Sequence, residues 1–122
     1  MAKKVLVVDD SKAMRMIVVR TLRQAGFDEI QATEAVNGKD ALTKLETESF
    51  DLVLSDWNMP EMSGIELCTA LKATRPTVKL GFVTSEGTAS MRDQAREAGA
   101  LFLIGKPFTV EAFQMALRPY LA

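Results

Sequence analysis

Five polar residues, spread along almost the whole chain, sit at or just beyond the ends of short apolar runs. Asp9 and Asp10 follow Val5–Val8, and Asp56 follows Leu52-Val53-Leu54-Ser55. Thr84 follows the run from Leu80 to Val83, and Lys106 follows the run from Leu101 to Ile104 after one glycine. Two carboxylates about 5 Å apart repel by roughly 3 kcal/mol at an effective dielectric of about 20. Three brought together must therefore be protonated or hold a cation. A small set of hard oxygen ligands suits Mg²⁺, which keeps waters that a phosphate oxygen can displace. A bound divalent ion also removes the repulsion that would keep a phosphoryl group away. Lys106 can hold a phosphoryl oxygen as a point charge, and the Thr84 hydroxyl can donate to another. Asp56 is the carboxylate left to act as a nucleophile.

Taken singly, each residue has an ordinary reading. Asp9 or Asp10 can cap the following helix, and Thr84 the next one. Asp56 can be a loop carboxylate, and Lys106 a solvated lysine. The chemistry depends on convergence, and convergence depends on the elements that carry these residues.

Val5–Val8 is continuously apolar and reads as a strand buried on both faces, as in a parallel sheet. Met14, Ile17, Val18, Thr21, Leu22 and Ala25 recur at helical spacing, and Gly26 ends that helix. Ile30 to Ala35 is a weaker strand, Asn37-Gly38 a turn, and Ala41, Leu42 and Leu45 mark a second helix. Leu52 to Leu54 is a third strand, followed by a loop through Asn58-Met59-Pro60. Ser63 and Glu66 have capping-box spacing for a third helix carrying Ile65, Cys68 and Leu71, which Arg75-Pro76 breaks. Leu80 to Val83 is the fourth strand and Met91 to Ala98 a helix with a thin apolar face. Leu101 to Ile104 is the fifth strand, and Val110, Phe113, Leu117 and Tyr120 line a last helix.

Strand and helix thus alternate five times over short connections. That pattern predicts an α/β fold, a doubly wound five-stranded parallel sheet with right-handed crossovers. Ligands of such sheets bind at the carboxyl ends of the strands, where all five polar residues fall. There is no internal repeat or linker, and a fifth helix closes the chain. The expectation is one domain over residues 1–122 with no output domain.

Composition narrows the chemistry further. The chain of 122 residues has no histidine, which removes imidazole acid–base catalysis and histidine metal ligands. Lys and Arg number 15 against 16 Asp and Glu, so no basic excess predicts a nucleic-acid surface. No apolar run is long enough to span a bilayer, and Met-Ala-Lys-Lys lacks a signal-peptide pattern. Cys68 is alone, so no internal disulfide forms. The simplest location for such a chain is the cytoplasm.

Val-Val-Asp9-Asp10, Ser55-Asp56-Trp57-Asn58-Met59-Pro60 followed by Gly64, Val83-Thr84-Ser85 and Lys106-Pro107-Phe108 together resemble the receiver domains of bacterial two-component systems. The chemotaxis-type, CheY-like members are the nearest in pattern, and the match covers the chain in order and spacing. The resemblance implies a flavodoxin-like sheet of strand order 2-1-3-4-5 and a response regulator that takes its phosphoryl group from a histidine kinase. Asp56 would be the phospho-acceptor. Mg²⁺ would be bound by Asp10, Asp56 and the Asn58 backbone carbonyl, with Asp9 acting through water. Lys106 would contact the phosphoryl group and Thr84 would move toward it. Asn58 and Glu86 occupy positions that tune phosphoryl lifetime, and the bond before Pro107 is cis in the family. Such a protein catalyses only its own phosphorylation and dephosphorylation. As a monomer it would signal through a protein target such as a flagellar motor switch component, without nucleic acid or membrane.

Two positions depart from the family. Leu103 stands where Tyr or Phe is usual, and Phe102 beside it points to the other face of a strand. Gly105 stands where a branched residue is commoner. Both bear on the switch rather than on the phosphorylation site. Other readings are a phosphate sink or relay intermediate, a Mg²⁺-dependent aspartyl phosphatase, and a flavin-binding domain. A haloacid-dehalogenase-type phosphatase needs a second Asp where Asn58 stands. A flavin phosphate would be repelled by Asp9-Asp10.

Overall fold

The computed structural model describes residues 3–121; Met1, Ala2 and Ala122, the ends of the expected 1–122 domain, lie outside them. Five strands, β1 (Lys3–Val8), β2 (Ile30–Ala35), β3 (Leu52–Ser55), β4 (Leu80–Thr84) and β5 (Leu103–Gly105), alternate with five helices. The helices are α1 (Lys12–Gln24), α2 (Gly38–Thr47), α3 (Gly64–Thr74), α4 (Ala89–Ala98) and α5 (Val110–Leu121). All strand pairs are parallel, in the order β2-β1-β3-β4-β5.

Strict alternation along each buried strand divides the core in two. Val5 and Val7 of β1 and Leu52 and Leu54 of β3 face α1 and α5, where they pack on Val18, Leu22, Phe113 and Leu117. Leu6, Val8 and Val53 face the other way and pack on Ala41, Leu45, Leu67, Leu71 and Ala95. Fully burying each such aliphatic side chain stabilises by about 1.5–3 kcal/mol. Two buried faces explain why these strands are apolar throughout.

The expected elements form, with local differences. Asn37-Gly38 is not a turn: the Asn37 side chain caps α2 by accepting the Asp40 N–H, and Gly38 is already helical. The capping box at Ser63 and Glu66 is present in both directions. Ile17, expected on the core face of α1, is 39% exposed, because that face is taken by Arg15, Val18, Thr21 and Leu22. β5 is shorter at its start than expected and runs one residue further, to Gly105. Leu101 and Phe102 nevertheless bond to β4 through Leu101 N–H to Leu80 O and Phe82 N–H to Phe102 O. In α4 only Ala95 is buried, matching its thin apolar face.

Candidate metal centre

The chain passes from β1 to β2 on one side and then to β3 on the other, so a crevice opens at the carboxyl ends of β1 and β3. Val8 pairs with Ser55, which puts the residues beyond them side by side. One carboxylate oxygen from each of Asp9, Asp10 and Asp56 lies within 4.8 Å of the others. Three anionic oxygens at that spacing fit a small divalent cation. Asp9 is buried, Asp56 partly buried and Asp10 exposed, so the cluster opens to solvent through Asp10.

Lys106 reaches over from the end of β5. Its Nζ is 3.2 Å from Asp9 Oδ2 and 3.6 Å from Asp56 Oδ2, with the lysine side chain only 14% exposed. The amine therefore bridges two of the three carboxylates. Asp56 Oδ1 accepts the Trp57 N–H at 2.7 Å. Burial pushes the Asp56 carboxyl above the usual carboxylate range, against the pull of Lys106 and of the Trp57 amide; the nearby Asp9 charge adds to the rise.

Neither aspartate after β1 caps α1. Ser11 does so, accepting the Met14 N–H, while Asp9 Oδ1 accepts the Ser11 N–H. Thr84 likewise does not cap α4, which Thr88 caps. Thr84 is fully buried, and its hydroxyl accepts the Glu86 N–H at 3.4 Å. The hydroxyl makes no hydrogen bond to the side chain of Asp56 or Lys106 among the described residues, although the Thr84 carbonyl accepts the Lys106 N–H at 2.7 Å. Asn58 is exposed in the loop after Trp57, and its carbonyl accepts no hydrogen bond among the described residues. That loop is held close by Gly64, where a Cβ would collide with the Asp56 carbonyl and the Phe82 ring. The Gly64 N–H instead donates to Trp57 O at 2.7 Å.

The family model for the response regulator receiver domain matches residues 5–118. The chain belongs to this family. This receiver domain is 38% identical over 121 residues to a chemotaxis protein CheY homologue of Campylobacter jejuni, covering 97% of this chain and 92% of that protein. Among solved structures it is similar to chemotaxis protein CheY4 of Vibrio cholerae. The identity there is 32%, with 99% of this chain and all of that one covered and a TM-score of 0.86. It is also similar to the BeF3-activated receiver domain of DrrB, at 30% identity and TM-score 0.85, covering 99% and 98% of the two chains. The chain is thus a CheY-like response regulator domain of the two-component class, and receiver domains are not enzymes of the usual kind.

The two departures fall on one side of the receiver domain. Leu103 faces the core shared with α3 and α4, whereas Phe102 faces the core shared with α1 and α5, 5.9 Å from the Tyr120 ring. Gly105 leaves open space where a side chain would stand. Glu86 is exposed in the β4–α4 loop. Two residues that sequence reasoning passed over also belong to the neighbourhood. Arg15 is buried, with Nε 2.7 Å from Glu34 Oε1 and one terminal nitrogen 2.7 Å from the Asp9 carbonyl. The signal was available: Arg15, Val18 and Leu22 share one helical stripe, and a charge on a buried stripe needs partners.

Proposed function

We propose that this receiver domain accepts a phosphoryl group on Asp56 from the phosphohistidine of a kinase, with Mg²⁺ bound, and passes the signal on by phosphorylation-dependent binding to a protein target in chemotaxis. The observation that carries the reading is the Asp9, Asp10 and Asp56 cluster with the Lys106 amine 3.2 and 3.6 Å from two of its members. A chain without histidine has no phosphohistidine of its own, so the donor is another molecule.

In the transfer, an Asp56 oxygen attacks phosphorus as the phosphorus–nitrogen bond of the donor breaks, and the leaving imidazole takes up a proton. Asp10, Asp56 and the Asn58 carbonyl would hold Mg²⁺, with Asp9 behind a water. The ion supplies charge neutralisation for the transferred group. Lys106 offsets the charge that accumulates when a phosphoryl group joins three carboxylates, and the Trp57 amide keeps Asp56 in one orientation. Thr84, at the end of β4, and Glu86, in the loop that follows, respond to the new anion, and Leu103 packs on the core that α4 shares.

The chemotaxis names of the relatives support an output in chemotaxis, and we read the chain as a cytoplasmic regulator that acts as a monomer on a partner such as a motor switch component. No helix of the described residues is long and apolar enough to cross a membrane. A phosphate sink would carry the same site and lack the partner. Affinity capture from lysate, with immobilised protein loaded with Mg²⁺ and beryllofluoride, separates them. A partner retained only in the loaded state, and lost with Asp56→Asn, supports the signalling output. Equal capture in all states contradicts it.

A further inference from the structure

The exposed Asp10 carboxylate has no hydrogen bond or ion pair among the described residues, although it is the member of the cluster most open to solvent. Its direction is therefore set by its backbone. That backbone is clamped from both sides of Asp9. The Asp9 N–H donates to Ala35 O, at the end of β2, at 3.1 Å. The Asp9 carbonyl accepts from the Arg15 guanidinium at 2.7 Å. The Asp9 carbonyl and the Asp10 N–H share one planar peptide unit, so fixing the first fixes the second.

Arg15 can do this because of where it sits. Its own N–H donates to Ser11 O in the first turn of α1, and helical side chains lean back toward the N-terminus, here over the Asp9-Asp10 loop. The guanidinium is planar and forked, so one bond to Asp9 O and one to Glu34 Oε1 lock its plane as well as its position. Glu34 belongs to β2, which pairs with β1 in register Val7↔Glu34. The clamp thus ties three elements, β1, β2 and α1, to a single carbonyl. Burying the guanidinium is costly unless it is paired, and here the pairing lands on the metal-binding loop rather than on a remote surface.

We propose that Arg15 is a positioning residue for the metal centre, holding the Asp9–Asp10 peptide so that the unpartnered Asp10 carboxylate is aimed at the cation, with Glu34 orienting Arg15 in turn. The inference rests on the Mg²⁺ reading above. Partners that orient metal ligands from outside contribute tenfold to a hundredfold in affinity, and Arg15 is expected in that range.

The test is Mg²⁺ titration of the wild-type chain, Arg15→Met, Arg15→Lys and Glu34→Ala, followed by Trp57 fluorescence and by calorimetry. Each is measured well below its melting temperature, with folding checked by circular dichroism. Arg15→Met is expected to weaken Mg²⁺ binding at least tenfold. Arg15→Lys, which keeps the charge and one bond, is expected to lose less but still more than twofold, and Glu34→Ala, which frees the guanidinium on one side, to lose about as much as Arg15→Lys. Asp51→Ala is the control. It removes a 2.7 Å bond to the Lys4 N–H at the opposite end of β1, and is expected to lower stability without changing Mg²⁺ affinity. Should Arg15→Met not fold, the Arg15→Lys and Glu34→Ala titrations decide. Variants that melt earlier yet bind Mg²⁺ within twofold of wild type overturn the positioning role. A wild-type chain that does not bind Mg²⁺ overturns the functional reading, and this inference with it.

Discussion

The Phe102 ring lies in the space that a side chain at Gly81 would fill. The two residues are neighbours across β4 and β5, one position before the Phe82↔Leu103 pair. The ring is also 5.9 Å from Tyr120 of α5. Phe102 is thereby committed to the α1–α5 face, and the face toward α4 carries Leu103 instead of a ring. Gly81→Ala is expected to displace Phe102 and destabilise the fold by about 1–3 kcal/mol, the usual cost of overpacking. Urea denaturation measures it; an unchanged midpoint would mean that the ring has room to move.

With no ring on β5 toward α4, a switch in this receiver domain is expected to act through the helix itself. Only Ala95 of α4 is buried, and Arg92 reaches the Leu103 carbonyl at 3.3 Å. So few contacts leave α4 free to shift with the β4–α4 loop. Leu103→Tyr is expected to alter partner affinity while leaving the rate of Asp56 phosphorylation within about tenfold, or roughly 1.4 kcal/mol of barrier. Paired kinetics and binding on this one variant check it. An order-of-magnitude rate loss with unchanged binding would put Leu103 in the active site.

Glu61 adopts φ 68°, in the left-handed region, with its carboxylate accepting from Asn37 Nδ2 at 3.1 Å. That conformation costs a residue with a Cβ about 1 kcal/mol, and asparagine tolerates it better. Glu61→Asn is expected to stabilise the fold by a few tenths to about 1 kcal/mol, read from the denaturation midpoint. A loss of stability would show that the bond to Asn37 outweighs the backbone strain.

Strand-end placement made most of the site legible in the sequence. Asp9, Asp10, Asp56 and Lys106 each follow an apolar run, and parallel pairing alone brings them to one rim. What stayed hidden depended on side-chain reach or on one residue's competition with another. Ser11, rather than an aspartate, caps α1, since the aspartates sit too early to meet the Met14 N–H. Asn37-Gly38 has the composition of a turn, and only the Asp40 N–H that it accepts makes it a helix cap. The spacing of Arg15 puts it on the buried stripe of α1 and so calls for a partner, but nothing in it says that the partner is the Asp9 carbonyl. The face reversal at Phe102 and Leu103 was legible, because a strand permits nothing else.

Asp56 makes metal-free stability depend on pH. Burial raises its folded pKa above the unfolded value, so the folded state holds the proton more tightly. The stability this confers is full below the ordinary carboxylate range and is lost as pH rises through the raised folded value. Asp56→Asn is expected to flatten that fall and to leave the metal-free chain more stable at neutral pH. Thermal melts across pH in the presence of chelator check it; a slope unchanged by the substitution would assign the effect to another group. Asp10→Asn, which removes one of three clustered charges, is expected to stabilise the metal-free chain at neutral pH while weakening Mg²⁺ binding.

Phosphorylation on Asp56, with Mg²⁺ required, is what the proposed function stands on. Intact-mass measurement after incubation with a small phosphodonor such as acetyl phosphate tests it directly, on the wild-type chain and on Asp56→Asn, with and without Mg²⁺. The wild-type chain with Mg²⁺ is expected to gain one alkali-labile phosphoryl group, and Asp56→Asn, or the wild-type chain with chelator, none. Undiminished, stoichiometric labelling of Asp56→Asn, or labelling indifferent to Mg²⁺, would contradict it.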